Sequence, residues 1–354
     1  MSERKRKGRT RPGPSTMLRT GFSRRDFIKA TFALGTVSYF RLADVLPNLF
    51  HGQRGETPVS QAAKPPVSNP MVSVLKTDSN VYRASNQKVY ELVRRVVATT
   101  EGFKFQEGAT VLLKPNMAFP AAWETGSITD PRLVQAVIRL VREQGAGRVV
   151  VADSSVVGSD TEEVYTMSGM RAVAEEAGAE LVDLRNGDFV PVRLPVGGLI
   201  QTIHVGRPVF EADYVIGLPV LKEHASALVT LSLKNMKGTM LDADKRRFHA
   251  LGLHQGIAEL NAVFRPDYVI LDGLIGMVGP GCPGFGTTKA FGLVMAANDG
   301  LALDTVAATF LGVDPRRVGH LNLADQYGVG TMDLRSVELR LENVEAPSLL
   351  GALT

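Results

Sequence analysis

The chain has 354 residues, of which 44% are hydrophobic and 21% charged, with a formal net charge of +4 and a single cysteine, Cys282. One cysteine excludes an internal disulfide framework, an iron–sulfur cluster ligated by cysteines and a zinc ribbon. Residues 1–29 hold ten Lys or Arg against two acidic residues, a charge of +8, which leaves −4 for the remainder. A mildly acidic domain has no general basic surface for phosphate backbones, so we expect no nucleic-acid partner.

The N-terminal segment, residues 1–41, resembles a twin-arginine (Tat) signal. Arg24 and Arg25 precede Phe27, Ile28 and Lys29, and an apolar run over 30–40 follows and ends at residue 41. This run is shorter than the roughly 20 apolar residues that a membrane-spanning helix needs. The resemblance implies export to the periplasm or another extracytoplasmic compartment, with the Tat translocase as a partner.

The next segment, residues 42–70, is rich in Pro, Gly, Gln and Ser and has no helical or strand periodicity, which predicts a linker. Cleavage after Ala62 would fit the preference for small residues, because Ser60 lies two positions earlier. The alternative is an uncleaved signal that anchors the protein to the membrane. No later stretch is long and apolar enough to span a bilayer, so we expect a soluble domain over 71–345.

Strand-like and helix-like segments alternate along this domain. Strands are predicted at 71–76, 110–113, 148–152, 181–184, 190–194, 200–205, 214–216, 268–271, 291–297 and 337–341. Helices are predicted at 87–99, 130–144, 170–177, 228–236, 254–264, 301–311 and 318–326. This alternation indicates an α/β fold with a mostly parallel sheet covered by helices on both faces, as one domain or two joined lobes. Residues 181–205 are expected to form a small antiparallel insertion, and 337–341 an edge strand.

Polar residues follow four of the predicted strands, where ligands bind in open α/β sheets. A capped turn or a solvated loop explains any one of them, but four together favour a site. They are Lys114 with Asn116, Asp153 with Ser154, Lys222 with His224, and Asp272. Asp130 precedes Pro131 at a predicted helix start, so capping alone accounts for it.

Two short segments, Lys222-Glu223-His224 and Lys234-Asn235-Met236-Lys237, concentrate lysines within an apolar region. Lysines three apart share a helix face, where like charges repel unless an anion bridges them. They would bind a carboxylate or phosphate, or one lysine would act as a base or nucleophile. An exposed basic helix face is the alternative. We predict as catalytic candidates Lys222, His224 and Asp153, and as ligand-binding candidates Lys114, Asn116, Lys234, Asn235, Lys237, Asp272 and Gly281.

Metal binding is left open by the sequence, because no motif spacing supports it. The candidate ligands are His224, His249, His254, Asp153 and Asp272. Residues 279–284 (GPGCPG) fit a dinucleotide-binding pattern, but two prolines and a following strand remove the helix N-terminus that would hold a pyrophosphate. We keep the hypothesis that a glycine loop around Gly281 lets the backbone approach a ligand closely. Cys282 has no identifiable histidine partner.

Several segments taken together resemble the DUF362 family, over roughly residues 71–330. They are 111–116 (VLLKPN), 129–131 (TDP), 219–224 (PVLKEH), 233–238 (LKNMKG), 272–273 (DG) with 279–281 (GPG), and 298–304 (NDGLALD). The family is named for having no assigned function. Some members carry ferredoxin-type cysteine clusters, and this chain lacks those cysteines.

The sequence therefore predicts an exported DUF362-type protein that binds a small anionic ligand, as an enzyme acting on that ligand. The lysines would fix the ligand charge, and His224 or Asp153 would transfer protons. Two alternatives are a non-catalytic accessory protein that binds a ligand or cofactor, and a redox protein whose cofactor is loaded before Tat export.

Overall fold

A computed structural model of the chain describes residues 58–60, 64–78, 80–194 and 200–354. The predicted signal, its cleavage site and residues 42–57 of the predicted linker lie outside the described residues. Those that are described form one compact unit.

Thirteen strands are present in the described part of the chain, and ten of them form one sheet. They are β1 (Val59–Ser60), β2 (Met71–Lys76), β3 (Thr110–Pro115), β4 (Arg148–Asp153), β5 (Glu180–Asp183), β6 (Phe189–Arg193), β7 (Thr202–Gly206), β8 (Tyr214–Leu218), β9 (Val220–His224), β10 (Leu228–Val229), β11 (Tyr268–Val278), β12 (Thr287–Ala297) and β13 (Glu338–Glu342). The main sheet has the order β13-β2-β12-β11-β8-β3-β4-β5, and β9 pairs with β11 and β10. Along this order only β12 runs antiparallel to its neighbours.

Eleven α-helices lie in the described residues. They are α1 (Asn86–Ala98), α2 (Pro131–Glu143), α3 (Thr161–Ser168), α4 (Met170–Glu176), α5 (Arg207–Glu211), α6 (Leu231–Asn235), α7 (Asp242–Leu251), α8 (Leu253–Val263), α9 (Gly300–Phe310), α10 (Gly319–Gln326) and α11 (Ser348–Gly351). None of them is long and apolar enough to cross a membrane.

Helices cover both faces of the sheet, as the packing of successive side chains of β3 shows. Val111 and Leu113 belong to the core cluster built with α1 and α2. Leu112, between them in sequence, packs in a separate cluster with Phe248 of α7 and Leu260 of α8. Successive strand residues point to opposite faces, so an apolar run such as this one is buried on both sides. The predicted α/β class with a mostly parallel sheet is confirmed.

The predicted insertion is smaller than expected. Residues 180–183 form β5, which pairs in parallel with β4 at the edge of the main sheet. The separate sheet instead contains β6 and β7, which are antiparallel, and β1, which pairs in parallel with β6. Thus β1, from the segment predicted as a linker, is attached to the domain. Lys64 from the same segment lies with Nζ 2.6 Å from Oδ1 of Asp267.

The helix predicted over 228–236 is divided into β10 and the short helix α6. Leu228 and Leu231 have φ angles of 65° and 46°, in the left-handed region that interrupts a regular helix. Helix α2, in contrast, begins as predicted. Asp130 caps it by accepting a hydrogen bond from the backbone N–H of Arg132 at 2.9 Å, and Pro131 occupies the first turn.

Candidate functional site

The ends of β3 and β4, which are parallel neighbours, bring Lys114 and Asp153 together. Nζ of Lys114 lies 2.7 Å from Oδ1 of Asp153, and both side chains are buried. The same ammonium donates to the carbonyl of Pro115 at 2.8 Å. The carboxylate also accepts from the backbone N–H groups of Met117 and Ser154, both at 2.7 Å. Burial lowers the pKa of Lys114, and the charge of Asp153 opposes that shift.

Lys222, the third residue of β9, is a buried lysine held by neutral groups. Its Nζ donates to the carbonyl of Ser127 at 2.6 Å, lies 3.5 Å from Oδ1 of Asn116, and stands 5.5 Å from the ring centre of Phe119. No carboxylate pairs with it among the described residues. Burial, followed by the charge of Lys234, lowers the pKa of Lys222 to about 7.

Lys234 and Lys237 differ in their partners although they are three residues apart. Nζ of Lys237 lies 2.8 Å from Nε2 of His249, and burial lowers the pKa of Lys237 well below its ordinary value. Lys234 is partly exposed, and its side chain makes no hydrogen bond or ion pair with any described residue. Burial lowers its pKa to about 8. Lys234 is therefore a cation without a partner in the described structure.

His224 is held in one neutral form by the backbone. Its Nδ1 accepts hydrogen bonds from the N–H groups of Ser226 and Ala227, both at 3.1 Å, so the proton of the neutral ring is on Nε2. Burial lowers its pKa well below the ordinary value, and the charges of Lys234 and Lys222 add to that shift. A neutral imidazole with an N–H donor thus stands beside these lysines.

Lys245, which the sequence analysis missed, lies beside the same residues. Its Nζ donates to Oγ of Ser154 at 2.6 Å and to the carbonyl of Ser155 at 3.0 Å, and pairs with Oδ1 of Asp242 at 2.9 Å. It comes from α7, which was not predicted. Asp242 and Lys245 are an acidic and a basic residue three positions apart, a spacing that favours a helix. This spacing was the sequence signal from which α7 could have been predicted. We call the five lysines at this site the lysine cluster: Lys114, Lys222, Lys234, Lys237 and Lys245.

Asn235 and Gly238 place the predicted Lys-Asn-Met-Lys-Gly segment directly over the Lys114–Asp153 pair. Nδ2 of Asn235 donates to the carbonyl of Lys114 at 2.9 Å. A Cβ atom at Gly238 would lie 2.0 Å from Oδ1 of Asp153 and 2.8 Å from Nζ of Lys114. Only glycine fits at this position without displacing the ion pair.

The glycine loop after β11 packs against the end of β9. Gly281 has a φ of 71°, and a Cβ there would lie 1.9 Å from the carbonyl oxygen of Glu223. The thiol of the next residue, Cys282, interacts electrostatically with Lys222 and Lys234, although burial raises its pKa above the ordinary value. The loop therefore borders the lysine cluster, as a surface for close backbone approach requires.

The side chain of Asp272, in contrast, accepts hydrogen bonds from residues outside the lysine cluster. Its carboxylate accepts from the backbone N–H groups of Asp130 at 2.7 Å and Leu274 at 3.1 Å. Burial and the charge of Asp130 raise the pKa of Asp272 to about 7. None of its hydrogen bonds reaches the lysine cluster. Asp130, interpreted from sequence as a helix cap alone, also pairs with Arg132 at 2.6 Å.

The histidines considered as metal ligands have separate partners. His249 lies against Lys237, whereas Nδ1 of His254 is 3.1 Å from Nδ1 of His320. Within the described ranges no three His, Cys, Asp or Glu side chains are grouped to hold a metal ion.

Comparison with known proteins identifies a family and a relative of this chain. Residues 111–309 match the family described as "Domain of unknown function (DUF362)". The thylakoid-associated protein sll1697 of Synechocystis is 29% identical over 228 residues, which is 63% of this chain and 69% of that protein.

Two solved structures are similar at 13% identity. One is the lactate racemase apoprotein from Thermoanaerobacterium thermosaccharolyticum, with a TM-score of 0.37 over 66% of this chain and 55% of that chain. The other is a protein from Thermotoga maritima, with a TM-score of 0.38 over 71% of this chain and 60% of that chain. The chain thus spans less than two thirds of either solved protein. Because the family match covers more than half of the sequence, the chain belongs to the DUF362 family.

Proposed function

We propose that this DUF362 protein is exported, that its lysine cluster binds a small anionic ligand, and that it is an enzyme acting on that ligand. One observation carries the proposal. Lys114 and Lys245 are paired with carboxylates, but Lys222, Lys234 and Lys237 have no carboxylate partner among the residues that the structure describes. Like charges that interact in a largely buried site oppose folding unless they lose protons or gain an anion. An anionic ligand would supply the missing negative charge.

The surrounding groups match acid–base chemistry on such a ligand. The pKa of Lys222 is about 7, near the value that is best for proton transfer at neutral pH, and the neutral ring of His224 presents its Nε2–H as a hydrogen-bond donor. Asp153, also predicted as catalytic, already accepts two backbone hydrogen bonds and pairs with Lys114. We therefore assign proton transfer to Lys222, hydrogen-bond donation to the ligand to His224, and to Asp153 the placement of Lys114.

A thermal-shift series with sulfate, phosphate, acetate and malonate tests the binding step. A bound anion stabilises the folded protein, by about 2.7 kcal/mol when its concentration is 100 times the dissociation constant. We expect at least one anion to raise the melting temperature of the wild-type protein. Lys222→Ala and Lys234→Ala should lose most of that rise.

Lys289→Ala is the matched control, because Lys289 is exposed and its ammonium lies 4.6 Å from the ring centre of Phe291, outside the lysine cluster. It should respond to anions as the wild type does. No response of the wild type to any of the anions would contradict the proposal. Binding without turnover of any ligand would support the accessory role instead.

Export is supported by Arg24 and Arg25 within the basic N-terminal segment. The name of the Synechocystis relative associates that protein with the thylakoid, a membrane system. We propose that the present chain reaches an extracytoplasmic compartment through the Tat translocase, and that an uncleaved signal would anchor it at the membrane.

A further inference from the structure

We propose that the ligand is a small carboxylate that also carries an aldehyde or ketone group, and that Lys234 binds its carbonyl carbon covalently as an imine. The proposal rests on the function proposed above, because it assigns a substrate class to the same lysine cluster.

Lys234 differs from the rest of the cluster in having a free amine. The other four ammonium groups are within hydrogen-bond distance of a protein atom, and these contacts are, in sequence order, with Asp153, Ser127, His249 and Asp242. Lys234 has no such contact in the described structure, and it is partly exposed. A nucleophilic amine needs an unoccupied lone pair and access to the substrate, and Lys234 meets both conditions.

Burial favours the neutral form of Lys234. Here burial lowers the pKa to about 8, so a useful fraction of the side chain is neutral near neutral pH. Lys222 and Lys237, both coupled electrostatically to Lys234, remain to donate hydrogen bonds to the carboxylate of the ligand.

The backbone that carries Lys234 is strained and fixed. Leu228 and Leu231 hold left-handed φ angles, which are unfavourable for residues other than glycine. The buried carboxylate of Asp304 accepts from the N–H groups of Ser232 at 2.7 Å and Leu233 at 2.9 Å. These two hydrogen bonds fix the first turn of α6, and with it the position of Lys234.

Groups at the site can supply and accept the protons that imine formation requires. The neutral amine of Lys234 attacks the carbonyl carbon, a C–N bond forms, and a proton moves from nitrogen to oxygen to give a carbinolamine. Lys222 in its ammonium form then donates a proton to the hydroxyl group, the C–O bond breaks and water leaves. The product is a protonated imine, and Lys222 is left neutral to accept a proton in a later step.

Borohydride trapping tests the proposal on the full chain. The protein is incubated separately with glyoxylate, pyruvate and 2-oxoglutarate, reduced with sodium borohydride, and analysed by intact mass and peptide mapping. We expect at least one of the three acids to give a single reduced adduct per chain, located on Lys234. Acetone, which has a carbonyl but no carboxylate, should give much less adduct at the same concentration, and acetate should compete with the oxo acid.

The Lys234→Arg variant keeps the positive charge at this position. Arginine is not deprotonated in proteins, so it has no free amine to attack a carbonyl, and the variant should give no adduct. Lys289→Arg should label as the wild type does. Peptide mapping of the wild type identifies the labelled lysine even if Lys234→Arg fails to fold. Adducts spread over surface lysines, a single adduct on another lysine, or no adduct with any of the three acids would overturn the proposal. If sulfate or acetate still stabilises the protein in that case, anion binding stands and only the imine is wrong.

Discussion

Lys114 and Asp153 form a buried ion pair between the ends of two parallel strands, with Nζ 2.7 Å from Oδ1. Taking two charges out of water is costly, and their attraction compensates only when further hydrogen bonds satisfy them. Here the carbonyl of Pro115 and the N–H groups of Met117 and Ser154 supply those bonds. The pair joins β3 to β4 at the point where the other lysines of the cluster gather.

Removing one member of this pair should destabilise the protein strongly. In Lys114→Met, the carboxylate of Asp153 would remain buried without its cation, and breaking such a pair costs about 3–5 kcal/mol. Urea denaturation followed by circular dichroism measures the free energy of unfolding. The double variant Lys114→Met/Asp153→Leu should cost less than the sum of the two single substitutions, because it leaves no unpaired charge. A loss below about 1 kcal/mol in Lys114→Met would contradict the structural role of the pair.

Gly238 should tolerate no side chain. In Gly238→Ala the new Cβ would lie 2.0 Å from Oδ1 of Asp153, so either the ion pair or the backbone must move. We expect a loss of about 1–3 kcal/mol in the free energy of unfolding, and a weaker thermal shift with anions. Gly187→Ala is the control, because Gly187 has a φ of −104° and a Cβ there meets no atom within 4 Å. Equal stability of the two variants would contradict the packing of residue 238 against the ion pair.

The sequence predicted much of this arrangement because the strands are apolar runs that end in polar residues. Lys114 and Asp153 immediately end such runs, and parallel strand ends share one edge of a sheet. Asp272 also follows a predicted strand, but β11 continues to Val278, so Asp272 lies within the strand and hydrogen-bonds to the backbone of Asp130. The sequence pattern alone did not indicate where the strand would stop, because residues 273–278 remain apolar, and all of them except Val278 are buried.

Two features of the site could not be predicted from the sequence: the position of Lys245, and the lack of a hydrogen-bond partner for the Lys234 side chain among the described residues. The helix α7 that carries Lys245 is mostly polar, so it lacks the apolar periodicity that identifies a helix. The distinct surroundings of Lys234 and Lys237 depend on His249, which approaches Lys237 and not Lys234. Tertiary packing, which a sequence pattern does not reveal, determines which of the two lysines His249 contacts.

Asp304 should control the placement of Lys234 without touching the ligand. Asp304→Ala would leave the buried N–H groups of Ser232 and Leu233 without their acceptor, at about 1–3 kcal/mol for each. We expect reduced stability in urea denaturation and a lower yield of the borohydride adduct. Asp304→Asn keeps one oxygen acceptor and should lose less of both. Asp314→Ala, which removes an exposed cap, should keep the full adduct yield, and an equal loss of yield in that variant would argue against a specific role for Asp304.

Anion affinity should fall as the pH rises through the pKa values of the two lysines. Lys222 and Lys234 have pKa values lowered to about 7 and about 8, so both are cationic at about pH 6 and largely neutral at about pH 9. Sulfate keeps its charge over this range and binds the protonated lysines, so deprotonation weakens its binding. Titration calorimetry at several pH values measures the change.

Lys234→Arg separates the two lysines in the same experiment. Arginine stays charged throughout this range, so the variant should retain only the decrease near the pKa of Lys222. Lys289→Arg should follow the wild-type curve. A sulfate affinity that is constant or rises with pH would show that these lysines do not bind the anion.

Export should depend on the two adjacent arginines and not on positive charge alone. Arg24→Lys/Arg25→Lys preserves the charge of the segment but removes the twin-arginine motif. In fractionated bacterial cells that contain a Tat translocase, we expect the wild-type protein in the periplasmic or membrane fraction and the double variant in the cytoplasm. Arg4→Lys/Arg6→Lys makes the same change elsewhere in the basic segment and should be exported normally.

The size and location of the exported protein then distinguish cleavage from anchoring. A shortened protein in the periplasm would show that the signal is removed, whereas a full-length protein in the membrane fraction would show that it is retained. Export of the double variant at the wild-type level would exclude the Tat route, because charge alone would then be sufficient. Tat transports folded proteins, so a destabilised Gly238→Ala protein should also be exported less efficiently, while Gly187→Ala should match the wild type. Equal export of these two glycine variants would indicate that the lysine cluster is not required to form before export.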